Sequence, residues 1–205
     1  MTAKIKLNSA SGGGSFSLQA PSSSSNDRVI TLPDVANGTL LTTQSTGLGK
    51  ILQVVSTTKT DVFSESSLAS GAFSGDAMSL SITPSNASNK ILIVVNCFVG
   101  CAAANRINAT IYKAGSVLTG AIGDADGSKN RTTFQSHLAS VARGNMVGGT
   151  YEDTAGGTSA ITYSIRLSHG SSSAATVYLN RTSTESDNDD YSRSISTITL
   201  MEVSA

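Results

Sequence analysis

The sequence predicts an all-β protein, and three observations lead to that class. Ser and Thr make up more than a quarter of the 205 residues, and both compete for backbone hydrogen bonds in helices. Several segments alternate between apolar and polar side chains with a period of two, as half-buried strands do. Clusters of Gly, Ser, Asn and Asp separate these segments, and almost none has helical period. Together these features indicate a β-sandwich or a β-barrel.

The first 49 residues hold three short alternating pieces, residues 4–7, 15–20 and 28–32, separated by Gly- and Ser-rich turns. Ordering a backbone costs ~1–2 kcal/mol per residue, whereas burying one large apolar side chain returns only ~1.5–3 kcal/mol. The segment has too few such side chains to fold alone, so it is either disordered or assembled from identical copies. Its regular strands and well-placed prolines favour assembly.

Residues 50–205 are predicted to form a second domain that opens with an apolar strand at residues 51–55. Residues 161–168 show the most regular alternation. Residues 106–113, 174–179 and 194–203 repeat the pattern and predict further strands. Residues 132–143 fit either a helix or a strand, and the strand is preferred.

Residues 90–100 predict a strand of a different kind. Alternate residues from Ile91 to Val95 occupy one face, and Leu92, Val94 and Phe98 occupy the other. A strand that is apolar on both faces is typical of the centre of a sheet covered on both sides.

Charge and composition exclude several classes of function. The 14 basic and 14 acidic residues give a formal net charge of zero, so no bulk attraction to nucleic acid is expected. No stretch approaches the ~20 apolar residues of a membrane-spanning helix, so no membrane insertion is expected. No serine lies in a Gly-x-Ser-x-Gly elbow and only two histidines are present, so the sequence predicts no enzyme and no cofactor.

Seven short segments carry a further signal: GSFSLQAP at 14–21, NDRVITLP at 26–33, GTLLTT at 38–43, GKILQVV at 49–55, SLSITP at 79–84, SNKILIV at 88–94 and STITLMEV at 196–203. The first three resemble a segment common in tail-fibre and related appendage proteins of tailed bacteriophages, especially phages of marine bacteria and cyanobacteria. The other four resemble a distal domain of the same proteins.

This resemblance covers most of the chain and implies a homotrimeric virion appendage, assembled in the host cytoplasm. Residues 1–49 would form an intertwined β-rich stem that trimerises and binds other virion proteins of the tail, baseplate or capsid. Residues 50–205 would form an antiparallel, jelly-roll-like β-sandwich head. The chain has no extended shaft, which leaves the attachment point open.

Recognition of a host surface glycan or protein is then predicted for exposed loops on a rigid scaffold. Three long, polar, Gly-rich segments are predicted to be those loops: residues 124–131, 146–157 and 185–191. The predicted receptor contacts are Asp124, Asp126, Lys129, Arg131, Tyr151, Glu152, Asp187, Asp189, Asp190 and Tyr191.

Two other functions stay open at this stage. A capsid decoration or connector protein would have the same architecture without a receptor. A free carbohydrate-binding module or glycan hydrolase belongs to another class, and it has less support because sugar rings normally stack on aromatic side chains. The chain has no Trp and only 5 Tyr and 5 Phe.

The sequence offers few metal ligands. Cys97 and Cys101 are predicted to be buried free thiols, because four residues of extended strand separate them by ~13 Å. His137 and His169 are predicted to be surface or interface residues, and the open alternative is that copies of one His gather around an ion on a three-fold axis. Residues 124–130 alternate oxygen ligands but lack the EF-hand Gly and Glu, so they predict a polar turn.

Overall fold

The computed structural model describes residues 4–8, 11–13, 15–19, 50–103, 105–187 and 191–205. The chain divides into two compact units, Met1–Thr46 and Gly47–Ala205. In the first unit, β1 (Lys4–Asn8) and β2 (Ser15–Gln19) pair in antiparallel fashion, which confirms two of the predicted pieces. The third piece, residues 28–32, lies outside the described residues. Intertwining and trimerisation through residues 1–49 stay predictions.

The second unit is an antiparallel β-sandwich, which confirms the predicted all-β class. Its strands are β3 (Ile51–Lys59), β4 (Phe63–Leu68), β5 (Asp76–Ile82), β6 (Lys90–Cys101), β7 (Arg106–Lys113), β8 (Ser116–Val117), β9 (Phe134–His137), β10 (Asn145–Thr154), β11 (Ile161–His169), β12 (Ala175–Leu179) and β13 (Ser196–Val203). Among the described residues the helical content is one 3-10 turn, Thr119–Ala121. Within the same ranges, no helix has the length and apolar character to cross a membrane.

Eight of these strands follow a jelly-roll order. The first sheet runs β3-β13-β6-β10, and the second runs β5-β11-β7-β9. The first four of these strands pair with the last four in reverse order along the chain: β3 with β13, β5 with β11, β6 with β10 and β7 with β9. Such a nested hairpin, rolled so that its pairs fall in two facing sheets, is the jelly roll. β12 and β4 extend the first sheet past the end of β13.

The core lies between the two sheets and is built from alternate residues of each strand. Ile91, Ile93 and Val95 of β6 are fully buried and face β11 and β7. The alternation predicted for residues 161–168 is confirmed, because Tyr163, Ile165 and Leu167 have no exposed surface. The alternation of apolar and polar residues therefore predicted the buried positions correctly where the inward side chains are large.

β6 is a central strand, as predicted, but it is covered on one side only. Its inward residues are fully buried, whereas Leu92, Val94 and Phe98 on the opposite face remain half-buried. The prediction of cover on both sides is wrong for the single chain. The pattern records that a face is apolar and does not record what packs against it.

The prediction of a loop at residues 146–157 is wrong, because β10 pairs with β6 along its whole length. Gly148 and Gly149 made the sequence of this strand look like a loop, since glycine is normally depleted in strands. A Cβ atom at residue 148 would lie 2.0 Å from the carbonyl oxygen of Val95, so the close approach of β6 requires glycine there.

Residues 132–143 confirm the predicted strand only in part. β9 ends at His137, and Leu138 then buries its side chain while its N–H donates to the carbonyl of Asn105 (3.0 Å). The helical alternative for this segment is wrong.

Candidate binding surfaces

The connections between strands gather at two opposite ends of the sandwich. The first end holds the connections that follow β3, β4, β6, β9, β11 and β12, and there the Ser183 N–H donates to the Val141 carbonyl (3.1 Å). The second end holds the connections that follow β5, β7 and β10, and there the Ala155 N–H donates to the Asn89 carbonyl (2.9 Å). The chain enters the sandwich at the second end, because Ile51 pairs with Val203 beside Lys90.

The predicted receptor residues are not brought together into one site. Asp187 and Tyr191 lie in the connection between β12 and β13, whereas residues 124–131 lie between β8 and β9, where the Asn130 side chain reaches Gly71 in the connection between β4 and β5. Tyr151 and Glu152 lie within β10. Asp189 and Asp190 lie outside the described residues. A receptor role for each of these residues stays a prediction.

Residues 124–131 form an exposed polar turn, as predicted. Lys129 makes an ion pair with Asp126, and Arg131 Nε donates to the carbonyl of Gly123 (2.6 Å). Because both members of the ion pair are largely exposed, it adds little to stability. Within the described part of the chain, no three His, Cys, Asp or Glu side chains are grouped so that they could hold a metal ion.

Alternation along β10 separates Tyr151 from Glu152. Tyr151 turns inward against the core, with its hydroxyl so close to Gly120 that a Cβ there would lie 2.3 Å from it, whereas Glu152 is exposed. Tyr151 therefore serves packing, and Glu152 alone of this pair is open to a partner.

Lys113, Asp153 and Tyr163 form a polar clamp between the two sheets at the second end. Lys113 Nζ donates to Asp153 Oδ2 (2.7 Å) and to the carbonyls of Thr154 (2.8 Å) and Ala155 (3.1 Å). The Tyr163 hydroxyl donates to the same carboxylate oxygen (2.7 Å). Burial, together with the hydrogen bond to Asp153 and its charge, raises the pKa of Tyr163, so the hydroxyl stays a donor. The polar clamp fixes β10 to β7 and β11.

The connection between β12 and β13 is closed at its base by charged side chains. Arg193 Nε donates to Glu185 Oε1 (2.7 Å), and Arg181 Nη1 lies 3.1 Å from Glu185 Oε2. The Arg181 guanidinium also stacks over the ring of Tyr178, 4.7 Å from its centroid. Glu185 therefore ties the two ends of residues 181–193 together, and we call this segment the acidic loop. Its exposed Asp187 projects from a fixed base.

The outer face of the second sheet is polar, and the chain covers it along β7, whereas Ser79 and Ser81 of β5 remain exposed. The Arg166 guanidinium stacks over Tyr112 (4.3 Å), and the ring of Phe73 meets Tyr112 edge-on (5.7 Å between centroids). Arg166 Nε also donates to Asp76 Oδ1 (2.7 Å). Burial alone would raise the pKa of Asp76, but hydrogen bonds from Arg166 and Ser164 outweigh it and lower that pKa.

Glu202 is a fully buried carboxylate that the sequence analysis missed. It accepts hydrogen bonds from Gln53 Nε2 and Asn89 Nδ2 (2.6 Å each) and from the backbone N–H and hydroxyl of Ser85 (2.7 Å each). Burial alone would raise its pKa, but these donors outweigh burial and lower the pKa to about 2. The sequence did contain a signal for this burial. Glu202 lies two residues after buried Leu200, and the alternation of a strand puts both side chains on the same inward face.

Both cysteines are buried and free, as predicted. Burial raises the pKa of Cys97 to about 12 and raises that of Cys101 as well. Since the thiolate is the reactive form, neither residue is poised for nucleophilic or metal chemistry near neutral pH.

The two histidines have different environments. His137 is exposed in β9, in agreement with its predicted surface position. The prediction for His169 is wrong, because the alternation of β11 continues through Leu167 and buries His169 completely. Its Nδ1 accepts from the Ser171 N–H (3.2 Å), so Nε2 donates to the Leu68 carbonyl (2.8 Å). With both nitrogens engaged inside its own chain, His169 does not reach a symmetry axis.

No protein-family model matches the chain, and no curated protein matches it. Among solved structures, it is similar to one described as "Structure of infectious bursal disease virus Gx strain", with 15% sequence identity and a TM-score of 0.37. The match covers 74% of this chain and 39% of that chain, so the chain spans about two fifths of the length of its structural neighbour.

Proposed function

We propose that this protein is a structural virion protein of a tailed bacteriophage, a homotrimeric appendage whose head contacts the host cell surface and performs no catalysis. The resemblance of the seven segments to phage appendage proteins supports the class of protein. The observation that carries the receptor role is the position of the acidic loop. It lies at the first end of the sandwich, whereas the chain enters at the second end.

This separation of the acidic loop from the end where the chain enters suits an adhesive head. The sandwich begins at the second end, where the Ser204 N–H donates to the Lys50 carbonyl (2.9 Å), and we propose that the first end faces the cell. Glu185, held between Arg181 and Arg193, gives the acidic loop a rigid base. Loops on a rigid scaffold are where binding residues concentrate, since they vary without disturbing the core. The proposed partner is a host surface glycan or protein that offers cationic or hydrogen-bond donor groups.

The test is binding of the labelled full chain to cells of the host bacterium, measured by flow cytometry. The test variant neutralises three carboxylates in the sequence of the acidic loop, with Asp187→Asn, Asp189→Asn and Asp190→Asn. The matched variant, Asp124→Asn with Asp126→Asn, neutralises the exposed turn in the connection between β8 and β9. We expect the first variant to weaken binding about 10-fold or more and the second to change it less than about 2-fold.

Each other outcome has a defined meaning. A loss confined to the Asp124 and Asp126 variant moves the receptor contact to that connection and contradicts the role given to the acidic loop. Full binding by both variants, or no binding by the unaltered chain, overturns the receptor role. Antibody labels that place the protein away from the cell-facing end would then identify a decoration or connector protein, and sugar binding on a glycan array would favour a carbohydrate-binding module.

A further inference from the structure

The two outer faces of the sandwich differ in what covers them. On the second sheet, the outward side chains Asn108, Thr110 and Tyr112 are at most 5% exposed, because the chain's own loops lie over them. On the first sheet, residues 181–182 lie over Gly100 at the first end, where a Cβ atom would be 2.4 Å from the Arg181 carbonyl oxygen, but Ile51 and Val54 near the second end are each 53% exposed. Large apolar side chains that are exposed in the described part of the chain all lie in this sheet or adjoin it. They are Ile51, Leu52 and Val54 in β3, Met146 in β10 and Ile195 immediately before β13.

Strand register places the outward apolar residues on one surface in two blocks, which the row of Thr197, Asn96 and Gly148 separates. Met201 of β13 lies between Val54 of β3 and Leu92 of β6. Val203 lies beside Ile51, and Phe98 lies beside Met146. We call this surface the apolar face, and its members are Ile51, Val54, Leu92, Val94, Phe98, Met146, Met201 and Val203.

The apolar face departs from the usual pattern of an antiparallel sheet. The outward face of such a sheet is normally polar when water covers it. Here Ile51, Val54 and Met146 are each more than half exposed, at 53–56%. Apolar surface costs free energy in water roughly in proportion to its area, and the contiguous block of Ile51, Val54, Leu92, Val94, Met201 and Val203 is the kind of exposed patch that marks an interaction site.

We infer that the apolar face packs against a second copy of this chain. Among the outward positions of β3, β13, β6 and β10, the charged residues are Lys90 and Glu152. In the proposed homotrimer each copy turns this face toward the three-fold axis, so Lys90 of one copy can meet Glu152 of the next. Because the formal net charge of the chain is zero, two copies do not repel each other at long range.

Size and strand order support the same occupant. Four strands of this length offer roughly 20 outward positions, which is the number that one partner contributes to an interface of ~800 Å² per side. Among the described residues, β3 pairs only with β13, so one edge of β3 is unpaired. An unpaired edge of this kind is a further place where a copy of the chain can associate, by strand pairing beside the apolar face.

The inference deepens the assembly part of the proposed function and rests on it, and it does not depend on receptor binding. Sedimentation of the full chain over a dilution series tests it. The test variant is Val54→Lys, and the matched control is Ser79→Lys, because Ser79 is an exposed outward residue of β5, the edge strand of the second sheet. We expect Val54→Lys to weaken self-association about 30-fold or more and Ser79→Lys to change it less than about 2-fold.

Oxidation of methionine provides a second measurement that needs no variant. Met146 is 56% exposed in the single chain, whereas Met78 is buried. We expect hydrogen peroxide to oxidise Met146 about 5-fold more slowly in concentrated, associated protein than in dilute protein, with Met78 protected in both.

The outcomes separate the inference from the proposed function. An oligomer that Val54→Lys leaves intact, with Met146 equally reactive at all concentrations, overturns the apolar face as the interface and leaves the proposed appendage standing. A full chain that stays monomeric at high concentration overturns both. A monomer in which Met146 is nevertheless protected identifies a different segment of the same chain as the occupant and contradicts the inference.

Discussion

Two buried polar side chains, Asn180 and Glu202, join parts of the sandwich that alternation alone does not connect. Asn180 is fully buried with a φ of 67°. Its Nδ2 donates to the carbonyls of Lys59 and Asp61 (2.9 Å each), and its Oδ1 accepts from the Ser196 hydroxyl (2.6 Å). It therefore holds the turn after β3 against the start of β13.

We expect Asn180→Ala to lower the free energy of unfolding by about 3–4 kcal/mol. It leaves buried donors and acceptors without partners and places a Cβ-bearing residue without side-chain hydrogen bonds at positive φ. Asn180→Gly is the matched control, because it removes the same hydrogen bonds but tolerates that φ, and it should be about 1 kcal/mol less destabilising. Urea unfolding measures both. A loss below about 1 kcal/mol for Asn180→Ala would show that this side chain is not a structural junction.

Glu202 gives the protein a defined acid sensitivity. Its pKa is about 2 in the folded state against an ordinary 4.5, so the unfolded chain binds more protons between these values. Its contribution is therefore complete above pH 4.5 and is lost as the pH falls toward 2. We expect Glu202→Gln to lower stability at pH 7 by about 2–3 kcal/mol, because its amide group faces hydrogen-bond donors.

Urea unfolding between pH 7 and pH 2.5 checks this prediction. The gap between the unaltered chain and Glu202→Gln should narrow below pH 4.5, since protonation removes the advantage of the carboxylate. Asp61 and Asp76 also have lowered pKa values, and they are present in both proteins, so the difference isolates Glu202. A difference in unfolding free energy that stays constant with pH would contradict a lowered pKa for Glu202.

At the scale of elements, the polar clamp gives β10 a second attachment besides its pairing with β6. We expect Asp153→Ala to destabilise the protein by about 2–3 kcal/mol, because it leaves Lys113 and the buried Tyr163 hydroxyl without their shared acceptor. Hydrogen exchange should speed up more in β10 than in β12. Asp124→Ala, at an exposed position, is the control and should change stability by less than about 0.5 kcal/mol. Equal effects of the two substitutions would rule out the polar clamp.

The sequence predicted elements best where large side chains alternate. β11 and β7 were found from their period-two pattern, and β6 was recognised as central because both of its faces are apolar. β10 was missed because Gly148 and Gly149 remove the side chains that would show its period, and their purpose is visible only once β6 lies beside them. His169 and Glu202 were missed although each continues the inward register of its strand, because residue type was given more weight than register.

The candidate surfaces were predictable only as local properties. The exposure of residues 124–131 and of Asp187 follows from their polarity, and the structure agrees. Their location at different parts of the sandwich depends on the pairing of β3 with β13 and of β7 with β9, which are far apart in sequence. No local pattern contains that information.

At the scale of the whole molecule, the nested pairing of strands makes the sandwich asymmetric in two ways. Its ends differ, because the chain enters at the second end and the acidic loop projects from the first. Among the described residues its faces also differ, because the chain covers β7 on the second sheet but leaves Ile51 and Val54 on the first sheet 53% exposed. We propose that the apolar face serves assembly and that the first end contacts the host.

An electron cryo-microscopy map of the intact virion tests this account most directly. We predict three copies around a three-fold axis, with Val54, Leu92 and Met201 of each buried against a neighbouring copy and the acidic loop directed away from the particle. A map that shows single copies with these residues in solvent, or a different protein packed over them, would contradict it.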